Sequence, residues 1–87
     1  MKIQIDPHTL ERASERGVSE SEIKDTILNG KEIQAKYGRL GNFKIFSYNK
    51  SRHGRHYQHK KVEVFFIVKD DTAITVTVYA FYGEWEE

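Results

Sequence analysis

A chain of 87 residues, 38% apolar and with one proline, has material for one modest core; this excludes a compositionally disordered chain and points to a single domain over residues 1–87. No apolar run approaches the roughly 20 residues that span a bilayer, and zero cysteine excludes disulfides, thiolate nucleophiles and cysteine-based zinc or iron–sulfur sites. The net charge of +1 conceals a polarity: Lys31 to Lys61 holds nine Lys/Arg against one acid, Glu32, so this third carries +8 and the rest −7.

Lys2 to Ile5 alternates polar and apolar residues and predicts a short strand with Ile3 and Ile5 on one face. Asp6 then serves as an N-cap and Pro7 as the first helical residue, with Ile5 and Leu10 spaced as a hydrophobic staple. This helix buries Leu10 and Ala13, runs to about Arg16 and stops at Gly17. Ser19-Glu-Ser-Glu22 is a capping box with Val18 and Ile23 as its staple. The second helix buries Ile23 and Ile27, with Leu28 beside them, and ends at Asn29-Gly30, where glycine supplies a left-handed C′ residue. The two helices form a hairpin.

Beyond Gly30 the apolar period becomes two. Glu32 to Tyr37 predicts a strand, Gly38 to Asn42 a turn, Phe43 to Tyr48 a second strand, and Lys50 to His56 an exposed loop. Tyr57 to Val68 and Ala73 to Tyr82 form an antiparallel hairpin through Lys69-Asp70-Asp71-Thr72. Val62, Val64, Phe66 and Val68 on one strand, with Ile74, Val76, Val78 and Ala80 on the other, supply the face that packs on the helices. The opposite face carries Lys61, Glu63, Phe65, Ile67, Thr75, Thr77, Tyr79 and Phe81, a mixture suited to a binding surface. The expected fold is α+β: two N-terminal helices packed on one face of a curved antiparallel sheet of four to five strands.

The stretch Lys50-Ser-Arg52-His53-Gly-Arg55-His56-Tyr57-Gln-His59-Lys60-Lys61 interleaves cations, imidazoles and a ring without a carboxylate. A charge run is ordinarily a solvated face, but one this long and this depleted of acids also fits a polyanion. On that reading Arg39, Lys44, Arg52, Arg55, Lys60 and Lys61 take phosphates, and Tyr57 stacks on an unpaired base. His53, His56 and His59 recur at every third residue, yet neighbouring cations and the absence of a completing acid or thiol disfavour a metal. His59, Tyr57 and Lys61 share strand parity with Glu63, whose carboxylate sits in a run of Val and Phe and needs a partner, Lys61 or Arg39, or serves as a general base. His8, Arg12 and Glu15 form a polar stripe on the first helix, either an exposed face or the edge of the same basic site. Cleavage of RNA by 2′-hydroxyl attack needs only a base, an acid and cations that stabilise the phosphorane, all available here without a cofactor.

The pattern His8-x-x-x-Arg12-x-x-x-Arg16-Gly17-Val18-Ser19, followed by Glu22-Ile23, Asn29-Gly30 and a hairpin ending in Ile74-Thr-Val-Thr-Val-Tyr79, resembles the domain-of-unknown-function 4258 family over most of the chain. That family is similar in arrangement to RelE-like toxins and bacterial ribonucleases, in which helices precede a curved sheet that receives RNA. The resemblance implies a toxin-type ribonuclease, with His8 and Arg12 at the edge of its site. Arg52 to His59 and the ending Phe81-Tyr-Gly-Glu-Trp85 lie beyond the shared pattern.

The leading expectation is a cytoplasmic, metal-independent ribonuclease acting on RNA, with His59, Tyr57 and Glu63 transferring protons, and His8 and Arg12 flanking them. The alternative is a non-catalytic module that binds nucleic acid or a protein through the same surface. A third reading makes Phe65, Tyr79, Phe81, Tyr82 and Trp85 a homodimer or antitoxin interface. Met1 to Leu10 holds an Asp, a Pro and a His where a secretory signal requires a continuous apolar segment. No membrane partner is expected.

Overall fold

A computed structural model describes residues 1–85. Within them the chain forms β1 (Lys2–Gln4), α1 (Pro7–Arg16), α2 (Glu20–Asn29), β2 (Lys31–Ile33), β3 (Leu40–Arg52), β4 (Arg55–Lys69) and β5 (Thr72–Gly83). The strands make one five-stranded sheet in the order β1-β5-β4-β3-β2. β2 to β5 pair antiparallel, whereas β1 lies parallel to β5, so the sheet is mixed. No helix among the described residues is long and apolar enough to cross a membrane.

Local signals set both helices. The Asp6 carboxylate accepts from Thr9 N at 2.9 Å, Pro7 opens α1, and Gly17 closes it at φ 75 with its N–H on the Ala13 carbonyl. Ser19 and Glu22 complete the reciprocal capping box of α2. Gly30, however, is extended (φ −77, ψ 172), not left-handed, because the chain passes directly into β2. Leu10 and Leu28 are exposed, and Thr9 and Thr26 take the buried positions of their helices instead.

Both helices pack on one face of the sheet. The core there comprises Ala13, Val18, Ile23, Ile27, Val62, Val64, Phe66, Ala73 and Val78, with Ile3, Ile5, Phe46 and Ala80 against it. Strict alternation along β5 fails at a bulge: Phe65 pairs with Thr77 but Phe66 with Thr75, so Val76 is the extra residue. Ala73 and Thr75 therefore face the helices in place of Ile74 and Val76, and Thr75, expected on the open face, is buried. Val68 lies beyond the helices and is exposed.

The largest departure is the expected loop at Lys50 to His56. β3 and β4 continue through it as a ladder ending at the pair Arg52–Arg55, turned by His53 and Gly54, both at positive φ (53 and 79). Two adjacent left-handed residues match the twist of the flanking strands and give the tight hairpin turn. Asp70 and Asp71 (φ 51 and 60) turn β4 into β5 in the same way. The strand expected at Glu32 to Tyr37 stops at Ile33, because Tyr37 and Gly38 (φ 61 and 71) make a third such turn, closed by Arg39 N on the Lys36 carbonyl at 3.2 Å. β3 accordingly begins at Leu40, inside the segment expected to be a turn.

Candidate nucleic-acid interface

The β3–β4 hairpin runs past the end of β5, so its basic residues form one wall of a notch whose other wall is the end of β5. Arg55, His56, Tyr57, Tyr82, Gly83 and Glu84 line an open hollow of about 430 Å³ there. Tyr57 and Tyr82 line it with rings 5.8 Å apart, and Tyr48 backs Tyr82 with its ring 5.1 Å away. Cations lie over these rings: Arg52 4.7 Å from the centre of Tyr82, Arg55 5.8 Å from Tyr57, Lys50 5.8 Å and Lys60 5.6 Å from Tyr48. Each separation is within the range of cation–π attraction.

The hollow is anchored to the C-terminus of α1. Tyr82 Oη donates to the Arg16 carbonyl at 2.5 Å, and Arg52 Nη2 donates to the Glu15 carbonyl at 3.2 Å. Both acceptors belong to the last turn of α1, whose carbonyls lack helical partners and attract cations. Burial raises the Tyr82 phenol above its ordinary value of 10.0, partly offset by the Arg52 charge, so it stays protonated and keeps donating at neutral pH. Gly17 is required at this junction, since a Cβ would sit 2.7 Å from Tyr82 Oη and 2.8 Å from Arg52 Nη1.

Lys60 stands apart from the cations grouped with it by sequence. Its position on β4 has the parity of Val62, Val64 and Phe66, so it points at the helices and is 5% exposed. Its Nζ donates to Glu22 Oε1 at 2.7 Å and to the Gly17 carbonyl at 2.8 Å, pinning the turn between α1 and α2 to the sheet. Lys44 likewise faces α2, where its Nζ meets Asp25 Oδ2 at 2.6 Å. That contact, with Asn29 donating to the same carboxyl group, holds Asp25 below its ordinary value of 3.8.

On the open face the expected neighbours are spread out. Glu63 pairs with Lys61 at 3.4 Å, and Lys61 also lies 4.8 Å from the centre of the Phe43 ring. His59 Nδ1 accepts from the Trp85 N–H at 3.1 Å, which places any proton of the neutral ring on Nε2. His59 and Glu63 are four residues apart on β4, about 13 Å at the rise of a strand, and Tyr57 turns to Tyr82 instead of toward them. His8 is exposed in the first turn of α1, about 12 Å along the helix from Arg16, and Arg12 pairs with Glu15 at 3.0 Å. Arg39 lies beside the open sheet face.

The structure thus brings Arg52, Arg55 and Tyr57 together and sets His8, Arg12, Arg39, Lys44, Lys61 and Glu63 apart from them; His59 pairs with Gly83 at the rim of the hollow, and Lys60 reaches Tyr48 from the helix side. It adds Tyr48, His56 and Tyr82. Recognising the turn at His53-Gly54 would have revealed the first two, since hairpin pairing brings the ends of β3 and β4 together. Nothing local marks Tyr82, which arrives from a third strand. Among the described residues no three His, Cys, Asp or Glu side chains form a set of metal ligands.

The sequence matches the protein family described as Domain of unknown function (DUF4258) over residues 5–80. That span takes in the helices, the basic hairpin and most of β5, and ends before Tyr82 and Gly83. No curated protein and no solved structure matches the chain.

Proposed function

The chain belongs to the DUF4258 family, and on that premise we propose that it is a toxin-type ribonuclease that takes single-stranded RNA into the hollow between the basic hairpin and the end of β5. The observation that carries this reading is that Arg55, His56, Tyr57 and Tyr82 line one open notch, with Arg52 over the Tyr82 ring and Glu84 the one carboxylate of the lining. Guanidinium groups complement phosphates, and tyrosine rings stack on any unpaired base. The resemblance read in the sequence to RelE-like toxins would imply the same substrate class, by analogy of fold.

In the cleavage step the 2′-oxygen attacks the adjacent phosphorus, and His56 takes the 2′-hydroxyl proton. The bond from phosphorus to the 5′-oxygen breaks, and that oxygen leaves with a proton from Tyr57 or water, giving a 2′,3′-cyclic phosphate and a 5′-hydroxyl. Arg55, with Arg52 behind it, offsets the charge that builds on the phosphorane.

Incubation with single-stranded RNA in EDTA tests the reading. Fragments with cyclic phosphate ends are expected, and His56→Ala should slow their appearance about a hundredfold, the scale of a lost proton-transfer group. A second reading, a non-catalytic RNA-binding module, draws on the Lys61 contact to Glu63 and the Trp85 contact to His59, which engage the groups the sequence put forward for proton transfer. Binding without fragments would select it. Neither binding nor fragments would end both.

A further inference from the structure

The helices cover one face of the sheet. The other exposes a second aromatic and cationic cleft, of about 170 Å³, lined by Lys36, Tyr37, Arg39, Phe65, Thr77 and Tyr79. No carboxylate lines it. The nearest on that face, Glu63, is paired across from Tyr79 in the ladder and is held by Lys61 at 3.4 Å. Phe65 meets Tyr79 edge-on at 6.0 Å, and the Arg16 guanidinium lies 5.0 Å from the centre of the Tyr79 ring while its Nη1 donates to the Val78 carbonyl. The Tyr79 ring is thereby fixed in place.

Tyr37 supplies the independent signal. It occupies the first central position of a tight turn at φ 61, a conformation that favours Asn, Asp or Gly and is costly for a bulky residue. The residue is 88% exposed, so the strain is not repaid by burial. An aromatic side chain held in solvent by an unfavourable backbone, beside two cations and a second ring, gains nothing from packing and invites a ligand.

We propose that this cleft is a second nucleotide subsite, in which Tyr37 and Tyr79 stack an unpaired base and Lys36 and Arg39 hold its phosphate. It rests on the reading of the protein as an RNA binder and specifies the substrate. Tyr79 and Gly83, which border the two sites, are four residues apart on β5, about 13 Å along the strand, and Tyr82 leans to the helix side, so RNA joining the sites passes round the end of β5. At about 3.4 Å per stacked nucleotide, that path takes at least about four nucleotides. RNA long enough to fill both sites should bind more tightly than a dinucleotide, through the high effective concentration of its second contact.

The test reads AMP binding at the cleft through the resonances of the cleft's own residues, and uses an octaribonucleotide as a probe of both sites. AMP should shift the NMR resonances of Tyr37, Phe65 and Tyr79. Tyr37→Asn, which suits the turn, should raise the melting temperature, abolish those shifts and weaken octamer binding about tenfold, within the range of one lost stacking contact. Arg55→Ala combined with His56→Ala should leave the AMP shifts intact. The proposal is overturned if AMP leaves the cleft unmoved, if an acidic peptide fills it where AMP does not, or if Tyr37→Asn keeps octamer affinity within twofold. Cleavage of RNA alongside an unresponsive cleft would sink the subsite and spare the hollow; an AMP response without RNA cleavage would do the reverse to the ribonuclease reading.

Discussion

Lys60 joins three parts of the molecule through one ammonium group: the Glu22 carboxylate of the α2 capping box, the Gly17 carbonyl that ends α1, and β4 itself. With its side chain 7% and that of Glu22 20% exposed, truncation leaves a poorly hydrated carboxylate and an unmatched carbonyl. Lys60→Ala should cost about 3 kcal/mol in chemical denaturation, the scale of a broken buried pair. Lys60→Met, which keeps the volume but not the charge, should also destabilise, because Glu22 keeps only its Ser19 contacts. The burial was legible in principle, since Lys60 has the parity of Val62, Val64 and Phe66. Charge counting obscured it, because a lysine in a basic run looks like surface. Asp25 makes a more exposed contact with Lys44 and titrates below 3.8. A depressed folded value means that its contribution is present above 3.8 and is lost as pH falls through the folded value; Lys44→Met should flatten the stability curve in that acid window.

Among the elements, the two helices are set by neighbours in sequence and are legible there. Asp6, Pro7, Gly17 and the Ser19–Glu22 box act within one helical turn, and the helix ends fall where they place them. Features set by strand pairing were not readable in the same way. The Val76 bulge exists because of its partners on β4, and the extended Gly30 exists because β2 follows α2 immediately. The charges of the basic segment dominate its pattern and hide its strands; His53-Gly54 is the turn signal within it, and pairing carries the strands to Arg52 and Arg55. The candidate site inherits this limit, since Tyr57 and Arg55 come from one hairpin and Tyr82 from another strand. Gly17→Ala tests the junction between elements. Its Cβ would meet Tyr82 Oη and Arg52 Nη1 at a φ of 75, so a stability loss of more than about 1 kcal/mol is expected. RNA affinity should fall with it, beyond what the unfolded fraction explains, because both displaced side chains belong to the hollow.

Across the whole molecule, extents of 42 × 26 × 22 Å describe an elongated body in which the hairpin tip carries charge away from the acid-rich remainder. Such a separation steers a polyanion toward one end while the net charge stays near neutral. Lys50, Arg52 and Arg55 offer three phosphate contacts, so the logarithm of RNA affinity should fall with the logarithm of salt at a slope of about −2. A flat dependence would mean that phosphate is not what the hairpin meets. The most direct measurement is a titration of isotope-labelled protein with a short single-stranded RNA, followed residue by residue by NMR. The account predicts the largest changes at Arg52, Arg55, His56, Tyr57, Tyr82 and Gly83. Changes confined to the exposed faces of α1 and α2, or none at saturating RNA, would contradict it.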